Sequence, residues 1–257
     1  MAEFKQLKLY YGKELAGLLA GKINPVYSKF DSKSFIKTVS KEVKDLELKA
    51  RVEVITDTLR EHLPKNYKSA VNVLLKILGP ENENETGMFK EYYWLMPVAL
   101  FVEKYGLDDF DTSIMAISEI TKRNTGEYAI RPFIRKYPEE TLKIMKKWSK
   151  NKNVHLRRLA SEGCRPRLPW SQKLDEFIED PAPILPILDA LKEDKSLFVK
   201  KSVANSMNDI LKDNYDIGIK VLKKWSKTKN PDTKWIIKHA LRKELKKQNP
   251  EAIKLTK

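Results

Sequence analysis

The sequence predicts an all-α protein, a HEAT-like (ARM-type) α-solenoid with a concave basic face. Three observations carry this. Only 9 of the 257 residues are glycine and β-branched alternation is scarce, while apolar residues recur at helical spacing. Leu142-Lys-Ile-Met-Lys-Lys-Trp-Ser-Lys-Asn-Lys-Asn153 returns 77 residues later as Ile219-Lys-Val-Leu-Lys-Lys-Trp-Ser-Lys-Thr-Lys-Asn230. Between these copies, Val154-His-Leu-Arg-Arg-Leu-Ala160 matches Leu197-Phe-Val-Lys-Lys-Ser-Val203 at a displacement of 43, and Asp232-Thr-Lys-Trp-Ile-Ile237 repeats the pattern. Periods of about 40 residues built from paired helices signal stacked repeats whose inner helices share one surface.

The elements follow in order. Residues 5–19 read as an entry helix, broken by Gly21, Asn24 and Pro25. Asp31 or Ser32 caps a helix running to about Lys44; 47–63 continues as a second, stopped by Pro64, and 68–78 gives a third. The acidic, turn-rich segment 79–87 reads as a mobile loop. Residues 89–105, from Phe89 to Tyr105, are rich in aromatic side chains at helical spacing, a pattern that predicts core packing between repeats. Helices over 112–122, 127–137 and 139–150 complete the approach to an irregular bend, Leu159-Ala-Ser-Glu-Gly-Cys-Arg-Pro-Arg-Leu-Pro-Trp170. There Gly163 lets the chain turn, and Pro166 and Pro169 forbid a regular helix. The expected organisation is one domain over 1–257, with less regular N-terminal helices in 1–85 and the site on the repeats of 88–257.

Charge points to the partner. The total of +15 is carried in blocks: 13 basic and 3 acidic residues in 131–173, the same counts in 220–257, and 5 basic against 10 acidic between them. Clustered cations are the footprint of a polyanion, with nucleic acid foremost; a solvated lysine-rich surface is the bland alternative. No run of about 18 apolar residues could span a bilayer, and the start Met-Ala-Glu-Phe-Lys lacks a signal-peptide core, so a cytoplasmic protein with no membrane partner is expected. The single cysteine, Cys164, excludes an internal disulfide and suits a reducing compartment. His62, His155 and His239 lie far apart without metal-ligand spacing, so no metal is expected. No phosphate-cradling glycine loop is present, and no cofactor is expected.

Arg157-Arg158, Lys200-Lys201 and Lys234 hold one equivalent position in successive repeats, where they should line up and grip a phosphate backbone without reading sequence. Trp235 replaces the second basic residue of the third copy and is a candidate to face DNA in the same row. Two carboxylates, Glu162 and Asp209, follow these cations along their helices, where acid would weaken polyanion binding. One reading is ion pairing with neighbouring Arg and Lys. The other is stabilisation of a cation, such as the oxocarbenium-like sugar formed when an N-glycosidic bond is hydrolysed.

The segments Leu159 to Trp170, Phe198-Val-Lys-Lys-Ser-Val-Ala-Asn-Ser-Met-Asn-Asp209 and Lys234-Trp-Ile-Ile-Lys-His-Ala-Leu-Arg242 resemble the AlkC branch of the AlkC and AlkD superfamily. These are bacterial HEAT-repeat DNA glycosylases of alkylation repair, and the resemblance covers roughly residues 85–257. It implies a monofunctional glycosylase, acting as a monomer, that excises cationic alkylated bases from duplex DNA. 3-Methyladenine comes first; 1-methyladenine, 3-methylcytosine and 7-methylguanine are further candidates. It further implies catalytic roles for Asp209, Glu162, Glu127 and Trp170, phosphate contacts for Arg165 and Arg167, and a place for Arg242 in the DNA-binding set. Deep flipping of the lesion is not required. Longer members of the branch carry a C-terminal β domain, and the expectation is that the basic tail ending at Lys257 substitutes for part of its grip. The alternatives are a non-catalytic HEAT-repeat DNA-binding protein and a protein-interaction scaffold.

Overall fold

The computed structural model describes residues 6–86 and 92–256 and divides the chain into two compact units, 1–129 and 130–257. Every regular element among the described residues is helical.

The first unit begins with a 3-10 turn over Leu7–Tyr10 and α1 over Lys13–Ile23. The entry helix expected over 5–19 is therefore split at Gly12, and Gly21 sits inside α1 rather than ending it. α2 (Ser32–Glu42) is capped by Asp31, whose carboxylate accepts from the Ser34 amide. α3 (Leu48–His62) and α4 (Tyr67–Lys76) match the expected helices, and Asn66 caps the latter. The loop after α4 is not loose. Arg123 Nε donates to the Gly79 carbonyl at 3.0 Å, the Asn82 amide donates to the Lys122 carbonyl at 2.9 Å, and Lys122 pairs with Glu81. Anchors from 44 residues away in sequence were not legible locally.

α5 (Met96–Tyr105) follows a short 3-10 turn; Phe101 and Trp94 are buried as the aromatic pattern predicts, while Tyr92, Tyr93 and Tyr105 are only half-buried. Phe89 and Gly87 lie outside the described residues. α6 (Phe110–Thr121) is capped by Asp109, and the turn over 124–129 closes the unit.

In the second unit, α7 (Arg131–Lys136) is shorter than the expected 127–137 because Thr125 to Ile130 forms turns. α8 (Pro138–Trp148) and α9 (Val154–Glu162) precede the bend; α10 (Asp175–Glu179) and α11 (Leu185–Leu191) come after it. Then follow α12 (Leu197–Asp213), α13 (Tyr215–Trp225), α14 (Pro231–Ala240), α15 (Arg242–Lys246) and α16 (Pro250–Thr256). α9, α12 and α14 pack side by side in succession, while α8, α11 and α13 back them, which is the two-layer stacking of HEAT-like units.

Equivalent caps start the three inner helices. Asn153, Ser196 and Asn230 each accept amide hydrogen bonds at the first turn, spaced 43 and 34 residues apart, and together these give the 77-residue recurrence. The longer interval contains the bend. Trp148 and Trp225 are buried at the ends of α8 and α13, and the Trp225 indole donates to Asp189 on α11 at 2.8 Å, tying adjacent repeats.

Candidate nucleic-acid site

The bend leaves α9 in helical geometry. Gly163 has φ −63°, so its glycine is not needed for a left-handed turn. It is needed for space: a Cβ there would lie 2.6 Å from Ile130 Cγ2 and 3.1 Å from the Leu159 carbonyl. This corrects the expectation that Gly163 works through backbone freedom. The left-handed residue is Trp170, with φ 64° and 63% exposure. A bulky side chain held in that region at the tip of a loop is strained, and the strain must be over-determined by the surroundings.

Those surroundings centre on Arg131, which the sequence did not single out. Its buried guanidinium donates to the carbonyls of Gly163 (2.9 Å) and Arg165 (2.8 Å) at the start of the bend, and to that of Gln172 (2.6 and 3.2 Å) at its end. Burial pushes its pKa down to about 10, which still leaves it charged at neutral pH. One planar fork thus closes the loop against the first turn of α7. Arg135, one turn on, reaches the Gln172 side chain and the Lys173 carbonyl. The signal available was Arg131-Pro132, the same dipeptide as Arg165-Pro166.

Inside the bend, Arg165 joins the two carboxylates singled out from the sequence. Its Nη1 donates to Glu162 Oε1 at 2.7 Å and its Nε to Asp209 Oδ2 at 2.9 Å. All three are largely buried, with side chains 9%, 7% and 12% exposed respectively. A phosphate-holding Arg165 does not fit this geometry: its fork is committed to two acids and turned away from solvent. Its pKa is raised, because the pull of Glu162 and Asp209 outweighs burial. Arg167 is likewise engaged, bidentate on Asp213 at 2.6 and 2.8 Å, though it stays more exposed.

The two acids diverge. Burial opposes the charge on both. Glu162 also faces Arg158, at 3.6 Å, accepts from Ser202 and is bonded to Arg165, and its pKa ends below the ordinary glutamate value. Asp209 has Arg165 but also feels Glu162, so burial prevails and its pKa is raised. Of the two readings offered by the sequence, the structure holds ion pairing: the acids pair around one shared cation, Arg165.

The basic pairs occupy equivalent positions, four and five residues past each cap, but they divide the work. Arg157 is bonded to Asp194 at 2.6 Å and Lys200 to Asp232 at 2.6 Å, each reaching the start of the next inner helix. They act as struts between repeats, so a grip on phosphate by these two would draw on side chains that are already paired. Arg158 lies over the Phe198 ring at 4.9 Å. Lys201 and Lys234 are exposed, and their side chains make no ion pair or hydrogen bond among the described residues. Trp235 stacks on His239 at 4.8 Å, and the Lys200 ammonium lies 5.5 Å from the Trp235 ring centre. Arg242 donates to Asn205 and to the His239 carbonyl, near enough to Arg165 and Asp209 to be affected by both.

Glu127 lies in the first unit, in the turn before α7. It is buried, and accepts from Thr125 Oγ1 at 2.9 Å. Among the described residues no group of three His, Cys, Asp or Glu could hold a metal ion, and no helix is long and apolar enough to cross a membrane. Cys164 is buried, bonded to the Ala160 carbonyl, and its thiol pKa is pushed up to about 12 by burial.

Fold and site define the class: a HEAT-like helical-repeat protein with an arginine-bridged carboxylate pair behind a strained tryptophan loop. The chain belongs to the DNA alkylation repair enzyme family, whose signature matches residues 112–243. It is 40% identical to the "uncharacterized protein YhaZ" of Bacillus subtilis (strain 168) over 257 residues, 99% of this chain and 68% of that protein. Among solved structures it is similar to the Pseudomonas fluorescens alkylpurine DNA glycosylase AlkC bound to DNA containing an abasic site analog. The TM-score is 0.89 at 35% identity, covering 98% of this chain and 68% of that one.

Proposed function

We propose that this protein is a monofunctional DNA glycosylase that acts as a monomer and hydrolyses the N-glycosidic bond of cationic alkylated bases, 3-methyladenine first, in duplex DNA. The observation that supports it most is the Glu162–Arg165–Asp209 bridge. Two buried acids converge on one guanidinium, which fixes a carboxylate in place where it can face a developing sugar cation.

In this reading Asp209, the more accessible acid, is catalytic. As the bond from the sugar C1′ to the base breaks, its electron pair goes to the base, which leaves neutral because alkylation had made it cationic. The sugar becomes oxocarbenium-like, the Asp209 carboxylate stabilises it, and water adds to C1′ and gives a proton to that carboxylate. Glu162 holds Arg165, and through it Asp209, in place. Trp170 packs against the lesion nucleotide, Glu127 serves as a further acid, and Lys201, Lys234 and Arg242 contact phosphates.

The test is release of free base from methylated duplex DNA. Release of 3-methyladenine supports the proposal; tight, salt-sensitive binding without release would make the protein a non-catalytic DNA reader.

A further inference from the structure

The first unit carries a charged surface that the site in the second unit does not use. Lys33, Lys37 and Lys41 recur every fourth residue along α2, so at about 100° per residue the three project within roughly a quarter turn, and Lys44, in the turn just past the helix, lines the same groove. Glu42, the helix's one acid, is carried to the other side. Phe35 and Val39 are buried on the packing face against α1 and α3. Lys13, at the start of α1, completes the wall of an open groove floored by Ile36 and Ser40.

All five lysines are exposed, and none of their side chains makes an ion pair or hydrogen bond among the described residues. Like charges at this spacing repel, so an unrelieved row is unfavourable in the free protein. Other cations of this unit are matched, as Lys104 is with Glu53 and Asp57, and Lys122 with Glu81 and Glu119, while unpaired lysines such as Lys29, Lys65, Lys68 and Lys76 do not line this groove. Residues 1–44 contain nine lysines, no arginine and four acids. Lysines are point charges without the fork that reads base edges, which suits a phosphate backbone rather than a sequence.

We infer that this α1–α2 groove is a second, sequence-independent binding surface for the phosphate backbone of duplex DNA. It neutralises phosphates and adds to affinity without touching the chemistry of the carboxylate site. The identity of the polyanion rests on the DNA reading above, but binding to undamaged duplex tests it without any catalysis.

The experiment compares the full chain with a variant carrying Lys33→Gln, Lys37→Gln, Lys41→Gln and Lys44→Gln. The charge-matched control carries Lys29→Gln, Lys65→Gln, Lys68→Gln and Lys76→Gln, all exposed and outside the groove. Affinity for undamaged duplex is measured against salt, with a thermal melt to verify folding. The groove variant should bind at least tenfold more weakly at low salt. Its slope of log affinity against log salt should shrink by about 2 to 3, at near 0.9 for each phosphate left without its lysine. The control should change the slope by less than 1. Equal effects of the two variants, or none, would overturn the inference. So would weakened binding only to anionic phosphatidylserine vesicles, with duplex binding intact. If no variant or native protein releases a base but the groove slope still falls, the glycosylase reading fails and this one stands.

Discussion

Arg165 and Asp209, 44 residues apart in the chain, lie side by side, the Nε donating to Oδ2 at 2.9 Å while the same guanidinium holds Glu162. The bend after α9 is thereby locked to the C-terminal part of α12, and two acids are kept buried around one cation. Removing that cation should be costly. Arg165→Leu is expected to reduce stability by about 3–5 kcal/mol, because it leaves buried charge uncompensated. Adding Glu162→Gln should recover part of the deficit in urea denaturation; simple addition of the two effects would contradict the bridge.

The opposite shifts of the two acids predict opposite pH behaviour. Glu162 is held below the ordinary glutamate value, so it contributes stability above that value which is lost as pH falls through its native pKa. Asp209 is raised by burial, so its contribution is present at low pH and lost as pH rises through its native pKa. At pH 7 Glu162→Gln should destabilise, with the deficit shrinking as pH is lowered. Asp209→Asn should hold or raise stability at pH 7, with any gain shrinking on acidification. Melts across pH 4–8 check this. Base release should fall on the acid side with an apparent ionisation above the value of about 3.9 for a free aspartate.

Trp170 offers a way to separate strain from packing. Trp170→Gly removes an exposed side chain at φ 64° and should leave stability within about 1 kcal/mol of native or raise it. Single-turnover base release should drop at least tenfold. A large drop in stability would instead assign Trp170 to the fold.

Arg131→Lys preserves charge but cannot reach three carbonyls at once. A deficit of about 2–3 kcal/mol is expected, together with faster proteolysis within 163–173, the segment Arg131 closes. Native-like stability would show that Arg135 suffices.

Repetition made the fold readable. The recurrence around Trp148 and Trp225 and the caps Asn153, Ser196 and Asn230 are local signals, and each sits where a helix begins or ends. Glu162 and Asp209 stood out as acids among cations, and the structure brings them onto Arg165. What stayed hidden depends on pairing between distant residues. Arg157 and Lys200 looked like free cations because Asp194 and Asp232 lie 37 and 32 residues away. Arg131 looked like an ordinary helix residue because its acceptors are backbone carbonyls, which carry no sequence signature. The lysine row of α2 is masked by the acids interspersed through the same stretch, and only helical geometry sorts the two onto different sides.

Whether Asp209 stabilises the sugar cation is read from single-turnover release of 3-methyladenine from methylated duplex DNA by Asp209→Asn. The rate should be lower by about 10²–10³-fold, with duplex affinity within a few-fold of native and a smaller reduction for Glu162→Gln. Native-like release by Asp209→Asn would contradict it.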